Sequence, residues 1–190
     1  MFKFKENIKP GELNKILEMK TGQTQSGLKN LDLSEGAPTN LVLPHDTYMV
    51  ELSSLKQSTS PTAKISGMRI IDANKENFKS IYDLNFTTGG NLEPQHFQDQ
   101  SYVKNYQDAF DKLFHSKVEP DGYEVRSLKI PSLHLEAIWL HKEGGTDDLY
   151  ILTSDFEQLS LGKTYREKEF FETLQQAAKD YDTEDNEIGG

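Results

Sequence analysis

The run LHLEAIWLHKEGGTDDLYILT, residues 133–153, alternates polar and apolar side chains, turns on a glycine pair, and returns into a second apolar stretch. Successive side chains of a strand point to opposite faces, so Leu133, Leu135, Ala137 and Trp139 share one side while His134, Glu136, Ile138 and Leu140 share the other. The first set reads as the core face. Ile138 and Leu140 on the second face predict that the end of this strand is covered on both sides, as a central strand packed against a helix is. Gly144, Gly145, Thr146 and Asp147 supply a hairpin connection into Leu149 to Thr153. Downstream, Thr164 and Glu167 have the spacing of a capping box, and Phe170, Leu174, Ala177 and Tyr181 recur at helical spacing. The segment Tyr123 to Tyr181 therefore predicts two strands, a tight turn and a long amphipathic helix, with Trp139 as a buried anchor between the sheet and the helices.

Val103, Tyr106, Phe110 and Leu113 form one stripe of a second helix, predicted over Ser101 to Ser116 with Ser101 as its N-cap. Thr87 to Gln100 reads as loop from Gly89, Gly90, Asn91 and Pro94. Asn74 to Phe86 carries two patterns: Phe78, Ile81, Tyr82 and Asn85 have helical spacing, whereas Tyr82, Leu84 and Phe86 alternate. A short helix running into a strand is expected there. Ala63 to Ile71 predicts a strand with a bulge or turn at Gly67. Leu41 to Leu43 and the alternating Tyr48, Val50 and Leu52 predict strand character, interrupted by Pro44 and Asp46. Before them the chain is polar and glycine-punctuated, with one short helix expected over Glu12 to Lys20, where Leu13, Ile16 and Leu17 line up after Pro10. A helix that short must dock on something to persist.

With 190 residues the chain has material for one full core, and two domains would leave each half hard to stabilise. An apolar fraction of 35% and a mean hydropathy of -0.70 place many residues outside that core. The expected organisation is a single domain over 1–190, with 1–39 a peripheral polar segment and 182–190 a disordered acidic tail. The sequence contains no cysteine, which excludes disulfides, thiolate metal sites and cysteine nucleophiles. No basic leader followed by an apolar run opens the chain, and no apolar run is long enough to span a bilayer, so a soluble, cytoplasmic protein is expected. A net charge of -10 argues against duplex nucleic acid, whose binding rests on neutralising phosphates with Lys and Arg. Charge is also uneven: Lys3, Lys5, Lys9, Lys15, Lys20 and Lys29 dominate the first thirty residues, while acids dominate 167–187. Such asymmetry suits recruitment of a protein partner.

The motifs that could carry chemistry are sparse. Gly162-Lys163-Thr164 lies where a phosphate loop belongs, but that loop needs a glycine at the position of Glu157, whose carboxylate would repel phosphate. His134 and Glu136 share a strand face and could ligate a metal or act as base and orienter, with His141 joining if the strand end bends. Two histidines on one helical turn, the usual zinc spacing, are absent. His45 beside Asp46, His96 and His115 are weaker candidates, and His115 is explained by the dipole of a helix C-terminus. No Gly-x-Ser-x-Gly elbow flanks any serine. Asp180, Asp182 and Glu184 resemble the start of a calcium loop without its central glycine.

The sequence thus predicts an α+β fold: a mainly antiparallel sheet of about five or six strands with two long amphipathic helices packed on one face. The expected function is a non-catalytic binding or interaction protein, such as an adaptor, inhibitor, immunity-type or assembly protein. It would need no cofactor and take another protein as partner, with neither nucleic acid nor membrane involved. The alternative is a small hydrolase or metal-dependent enzyme using His134, Glu136 and His141.

Overall fold

Residues 2–5, 16, 41–58, 60–74, 77–87, 89, 91–115, 122–144 and 147–187 are described in a computed structural model of the chain, with 181–187 described by backbone alone. In chain order the elements are strand β1 (Leu41–Met49), short helix α1 (Leu52–Gln57), β2 (Lys64–Asn74), β3 (Asn77–Phe86), β4 (Leu92–Phe97) and helix α2 (Gln100–Phe114). They continue as β5 (Tyr123–Ile130), a 3-10 turn (Pro131–Leu133), β6 (Leu135–Lys142), β7 (Leu149–Leu152), β8 (Thr164–Arg166) and helix α3 (Glu167–Glu187). The strands form one eight-stranded sheet in the order β4-β3-β2-β1-β5-β6-β7-β8. The fold is α+β, with more strands than the five or six expected.

The sheet is mixed. β1 to β4 form an antiparallel meander, and β5 to β8 form another. They meet where β5 lies parallel to β1, Thr47 to Met49 facing Ser127 to Lys129. Parallel neighbours need a long crossover, and the path through β2, β3, β4 and α2 supplies it.

Alternation along β6 shows why both faces are covered. Leu135, Ala137 and Trp139 pack with Phe170, Phe171, Leu174 and Ala178 of α3 and with Leu55 of α1, whereas Ile138 and Leu140 pack with Val103, Tyr106, Phe110 and Leu113 of α2. The two long helices therefore lie on opposite faces, not on one. Burying a Leu or Ile contributes roughly 1.5–3 kcal/mol, and one helix could not cover side chains that leave the sheet in opposite directions. Trp139 anchors only the α3 side. A third cluster, Met68, Ile70, Tyr82 and Leu84, closes the α3 face of β2 and β3 around Ile16, a helical residue with no exposure.

Other boundaries differ from expectation for local reasons. Asn74 to Phe86 contains no described helical residue: β3 pairs with β2 from Asn77 to Phe86, and its alternate positions fill two different cores. Within the expected loop over Thr87 to Gln100 lies β4, an edge strand that tolerates Pro94 because an edge leaves some N–H groups unneeded. β1 runs through Pro44 without ending, at the cost of a register shift between Val42 and His45 and a left-handed Leu43 (φ 54°). The N-cap of α2 is Asp99, not Ser101 two residues later: its carboxylate accepts from the Tyr102 N–H at 2.9 Å. Thr164 is not a cap either: it pairs with Ile151 in β8, and α3 starts at Glu167. The helical backbone of α3 continues to Glu187, past Tyr181 where the apolar pattern stops; no glycine or proline interrupts the chain before Gly189. Most of the expected peripheral segment over 1–39 falls outside the described residues. Of those that are described there, Phe2 is buried in the α2 core and Ile16 in the third cluster, while Lys3 is exposed.

Candidate functional site

The densest convergence of polar side chains lies under α2, and strand register builds it. His45 on β1 stands opposite Arg69 on β2, and Arg69 stands opposite Asp83 on β3, so three polar groups line up across an otherwise apolar sheet. Ser127 on β5 and Glu136 on β6 extend the row, and α2 lowers Tyr102 and Tyr106 onto it.

Arg69 is the centre. Its Nε and Nη2 donate to the two carboxylate oxygens of Asp83 at 2.6 and 2.7 Å, and its Nη1 donates to Glu136 Oε2 at 2.9 Å. Lys129 donates to Asp83 Oδ2 at 2.6 Å, and the Tyr102 hydroxyl donates to Glu136 Oε2 at 2.6 Å. The guanidinium carbon lies 4.9 Å from the Tyr106 ring centre and 5.8 Å from those of Phe97 and Tyr102, an aromatic enclosure that favours a cation. Burial works against the charge on Arg69, but Asp83 and Glu136 outweigh it and hold the guanidinium well above its ordinary value. For Asp83, burial pushes the carboxyl up, and Arg69 with Lys129 more than reverses this, leaving it below the usual carboxylate range. Two cations and two carboxylates therefore balance in the interior.

Beside this network sits a smaller one. His45 Nδ1 lies 2.6 Å from the Leu43 carbonyl oxygen, which can only accept, so the proton is on Nδ1 and Nε2 is the acceptor. The Tyr106 and Ser127 hydroxyls lie 2.8 and 2.9 Å from Nε2 and 2.6 Å from each other. Burial lowers the His45 pKa to about 4, aided by the Arg69 charge, and the imidazole is neutral at pH 7. Burial also raises Tyr106 to about 12, keeping it protonated. In composition this is a serine beside a histidine whose Nε2 accepts, the kind of pair that activates a nucleophile, although the lowered His45 pKa makes it a weak base. In geometry it is closed: Ser127 is 1% exposed, and His45 and Tyr106 are not exposed at all. No substrate carbonyl reaches Ser127 without displacing α2.

The residues singled out from sequence are placed apart. His134 follows the 3-10 turn in a left-handed conformation (φ 49°) and is exposed. It borders an open groove of about 350 Å³ with Asp155, Phe156, Glu157, Ala177 and Asp180. Glu136 points to the α2 side, committed to Arg69 and Tyr102. His141 is on the α3 side, donating from Nδ1 to Asp148 at 3.0 Å and lying edge-on to Trp139. Asp148 also accepts from the Trp139 indole at 2.7 Å and the Lys142 backbone at 2.9 Å. Among the described residues no three His, Asp or Glu side chains are grouped to hold a metal ion. Gly162 takes φ 67° in the turn before β8, and Lys163 reaches the ring of Tyr165 at 4.5 Å, so this stretch opens a strand and not a helix. His115 caps α2, its ring and its backbone N–H both on the Asp111 carbonyl, as the dipole argument expects. The backbone through Asp180, Asp182 and Glu184 is helical, which is not the form of a calcium loop.

Arg69, Asp83, Tyr106 and Ser127 were not distinguished by sequence pattern. One signal was present: β2 carries Arg69 and Asp72, and β3 carries Asp83, inside apolar runs, and a charge in a buried strand needs a partner. Against known proteins the chain finds no counterpart, since no family model matches and neither a curated protein nor a solved structure is significantly similar. No helix among the described residues is long and apolar enough to cross a membrane.

Proposed function

We propose that this protein is a non-catalytic interaction protein of the adaptor, inhibitor, immunity or assembly kind, with another protein as its partner. The observation that carries this reading is the closure of the Arg69 and His45 networks. The acid–base and nucleophilic groups of these two networks are engaged with one another beneath α2, and a reacting group must touch its substrate. Outward the described residues offer charge, along with exposed apolar side chains such as Ile65, Phe86 and Phe114. The chain's balance of -10 and the carboxylates Asp155, Glu157 and Asp180 along the His134 groove favour a basic partner surface.

Calorimetric titration of the full chain with zinc, manganese, Mg-ATP and decalysine tests the reading. The expected result is heat from decalysine alone, weakening as salt rises because exposed charges are screened. Micromolar binding of a metal, abolished by His134→Ala, overturns the reading and puts a metal-dependent enzyme in its place.

A further inference from the structure

Residues Phe2 to Lys5 fill a notch in the sheet. β1 follows β5 only along Ser127 to Lys129, and beyond the irregular Leu43 and Pro44 it leaves the earlier part of β5 without a neighbour on that side. Phe2 to Lys5 takes the vacant position as a parallel rung: the Lys3 N–H donates to the Tyr123 carbonyl and the Val125 N–H donates to the Lys3 carbonyl, both at 2.9 Å. Its side chains alternate as a strand's must. Phe2 and Phe4 turn inward, with ring centres 6.3 Å from Phe114 and 6.3 Å from Phe110 of α2. Lys5 turns outward to Asp46 at 2.7 Å, while its N–H donates to the Pro44 carbonyl at 2.8 Å. The rim beside Lys3 and Phe4 is formed by Gly122, Glu124, His141 and Glu143 around a cavity of about 230 Å³.

These features are those of a peptide site used by strand addition: main-chain hydrogen bonds for affinity, and pockets for alternate side chains for selectivity. We propose that the notch beside Tyr123 to Val125 recognises an extended peptide of a partner protein. That peptide carries aromatic residues at alternate positions with basic residues between them, and Phe2 to Lys5 occupies the site in cis. The aromatic requirement comes from the Phe110 and Phe114 rings. The basic requirement comes from Asp46, which pairs with Lys5, and from Glu143 on the rim; Glu124 is already paired with Arg126 at 2.6 Å. A tethered occupant acts at an effective concentration of about millimolar, so a free peptide competes poorly until the tether's own contacts are weakened. The inference names a surface and a partner chemistry that the reading above leaves open, and its failure would leave the metal and decalysine titrations unchanged.

The test uses the full chain carrying Phe2→Ser and Phe4→Ser, and a fluorescein-labelled peptide Met-Phe-Lys-Phe-Lys-Glu, read by anisotropy. The double variant is expected to bind it roughly tenfold or more tightly than the unaltered chain does. A peptide with the same composition and both phenylalanines adjacent should bind neither. Val125 amide exchange should quicken in the variant and slow again when the peptide is added. If the double variant lacks a cooperative melt, Lys3→Pro, which removes the Lys3 donor and keeps both rings, is measured in the same way. Equal binding of the two peptides, or a folded variant that binds neither, overturns the proposal. If both variants fail to melt cooperatively, isotope-labelled peptide at millimolar concentration is added to the unaltered chain, where contacts from its rings to Phe110 support the proposal and their absence overturns it. Dimerisation of the unaltered chain that the double variant abolishes assigns the notch to a second copy and overturns the partner claim.

Discussion

Arg69 and Asp83 face each other across β2 and β3 and are joined by two hydrogen bonds of 2.6 and 2.7 Å, with neither residue exposed to solvent. A buried ion pair gains little over apolar packing of the same shape, but removing one partner leaves the other charged and desolvated, at a cost of about 3–5 kcal/mol. Asp83→Ala should lose that much, measured by denaturant unfolding. Adding Arg69→Met to Asp83→Ala should recover part of it, because the buried guanidinium, left with Glu136 as its one carboxylate, is then gone. A loss under about 1 kcal/mol for Asp83→Ala would show that the pair is not the anchor described.

The His45 environment sets an acid limit. Its folded pKa, about 4, lies below the ordinary 6.5, so between these values the unfolded chain takes up a proton that the folded chain refuses. Stability therefore rises with pH through this window and falls on acidification from 6.5 to 4, by roughly 3 kcal/mol at about 1.4 kcal/mol per unit. Below the window both states are protonated at this site and its contribution to the slope vanishes. Asp83, held below its usual range, adds a second loss only as pH falls beneath the ordinary carboxylate value. Unfolding free energies at a series of pH values, for the unaltered chain and for His45→Gln, separate the two. A slope between 6.5 and 4 that His45→Gln leaves intact would contradict the assignment.

Trp139 is 8% exposed, its indole hydrogen-bonded to Asp148 and its ring flanked by Tyr48, Tyr150 and the Arg126 guanidinium. Native fluorescence should be blue-shifted relative to the unfolded chain. Trp139→Ala should cost roughly 3–5 kcal/mol, by lost burial and the cavity left behind. Emission at the wavelength of tryptophan in water would refute this placement.

Gly67 on β2 lies against the backbone of β3: a Cβ there would clash with the Leu84 carbonyl oxygen. Backbone cannot swing aside as a flexible side chain can. Gly67→Ala should destabilise by about 1–3 kcal/mol, the usual range for overpacking, although alanine favours most other positions over glycine. An unchanged thermal midpoint would mean the strands are further apart than described.

Local pattern carried some of this architecture and could not carry the rest. The β6 hairpin and the α3 stripe were legible because alternation, turn residues and helical spacing agree within one stretch of chain. Ile138 and Leu140 even signalled a second covered face, yet both helices were expected on the first, since nothing local says which helix crosses to which side. β3 was ambiguous because Phe78, Ile81, Tyr82 and Asn85 fit a helix as well as a strand, and pairing with β2 decides between them. β4 and β8 are short edge strands whose identity comes from their neighbours. At the candidate site, Arg69, Asp83, His45 and Ser127 come from four strands, and only the sheet register puts them together. His134, Glu136 and His141 were near in sequence and are directed to different surroundings, because β6 alternates and His134 turns out of its line.

Ser127 and His45 under α2 are closed to substrate by their burial. Intact-protein mass spectrometry after incubation with an alkyl fluorophosphonate tests this closure most directly, because that reagent modifies a serine that is both activated and reachable. The folded chain should keep its unmodified mass. An adduct mapped to Ser127, and lost in His45→Gln, would contradict it and make this site catalytic.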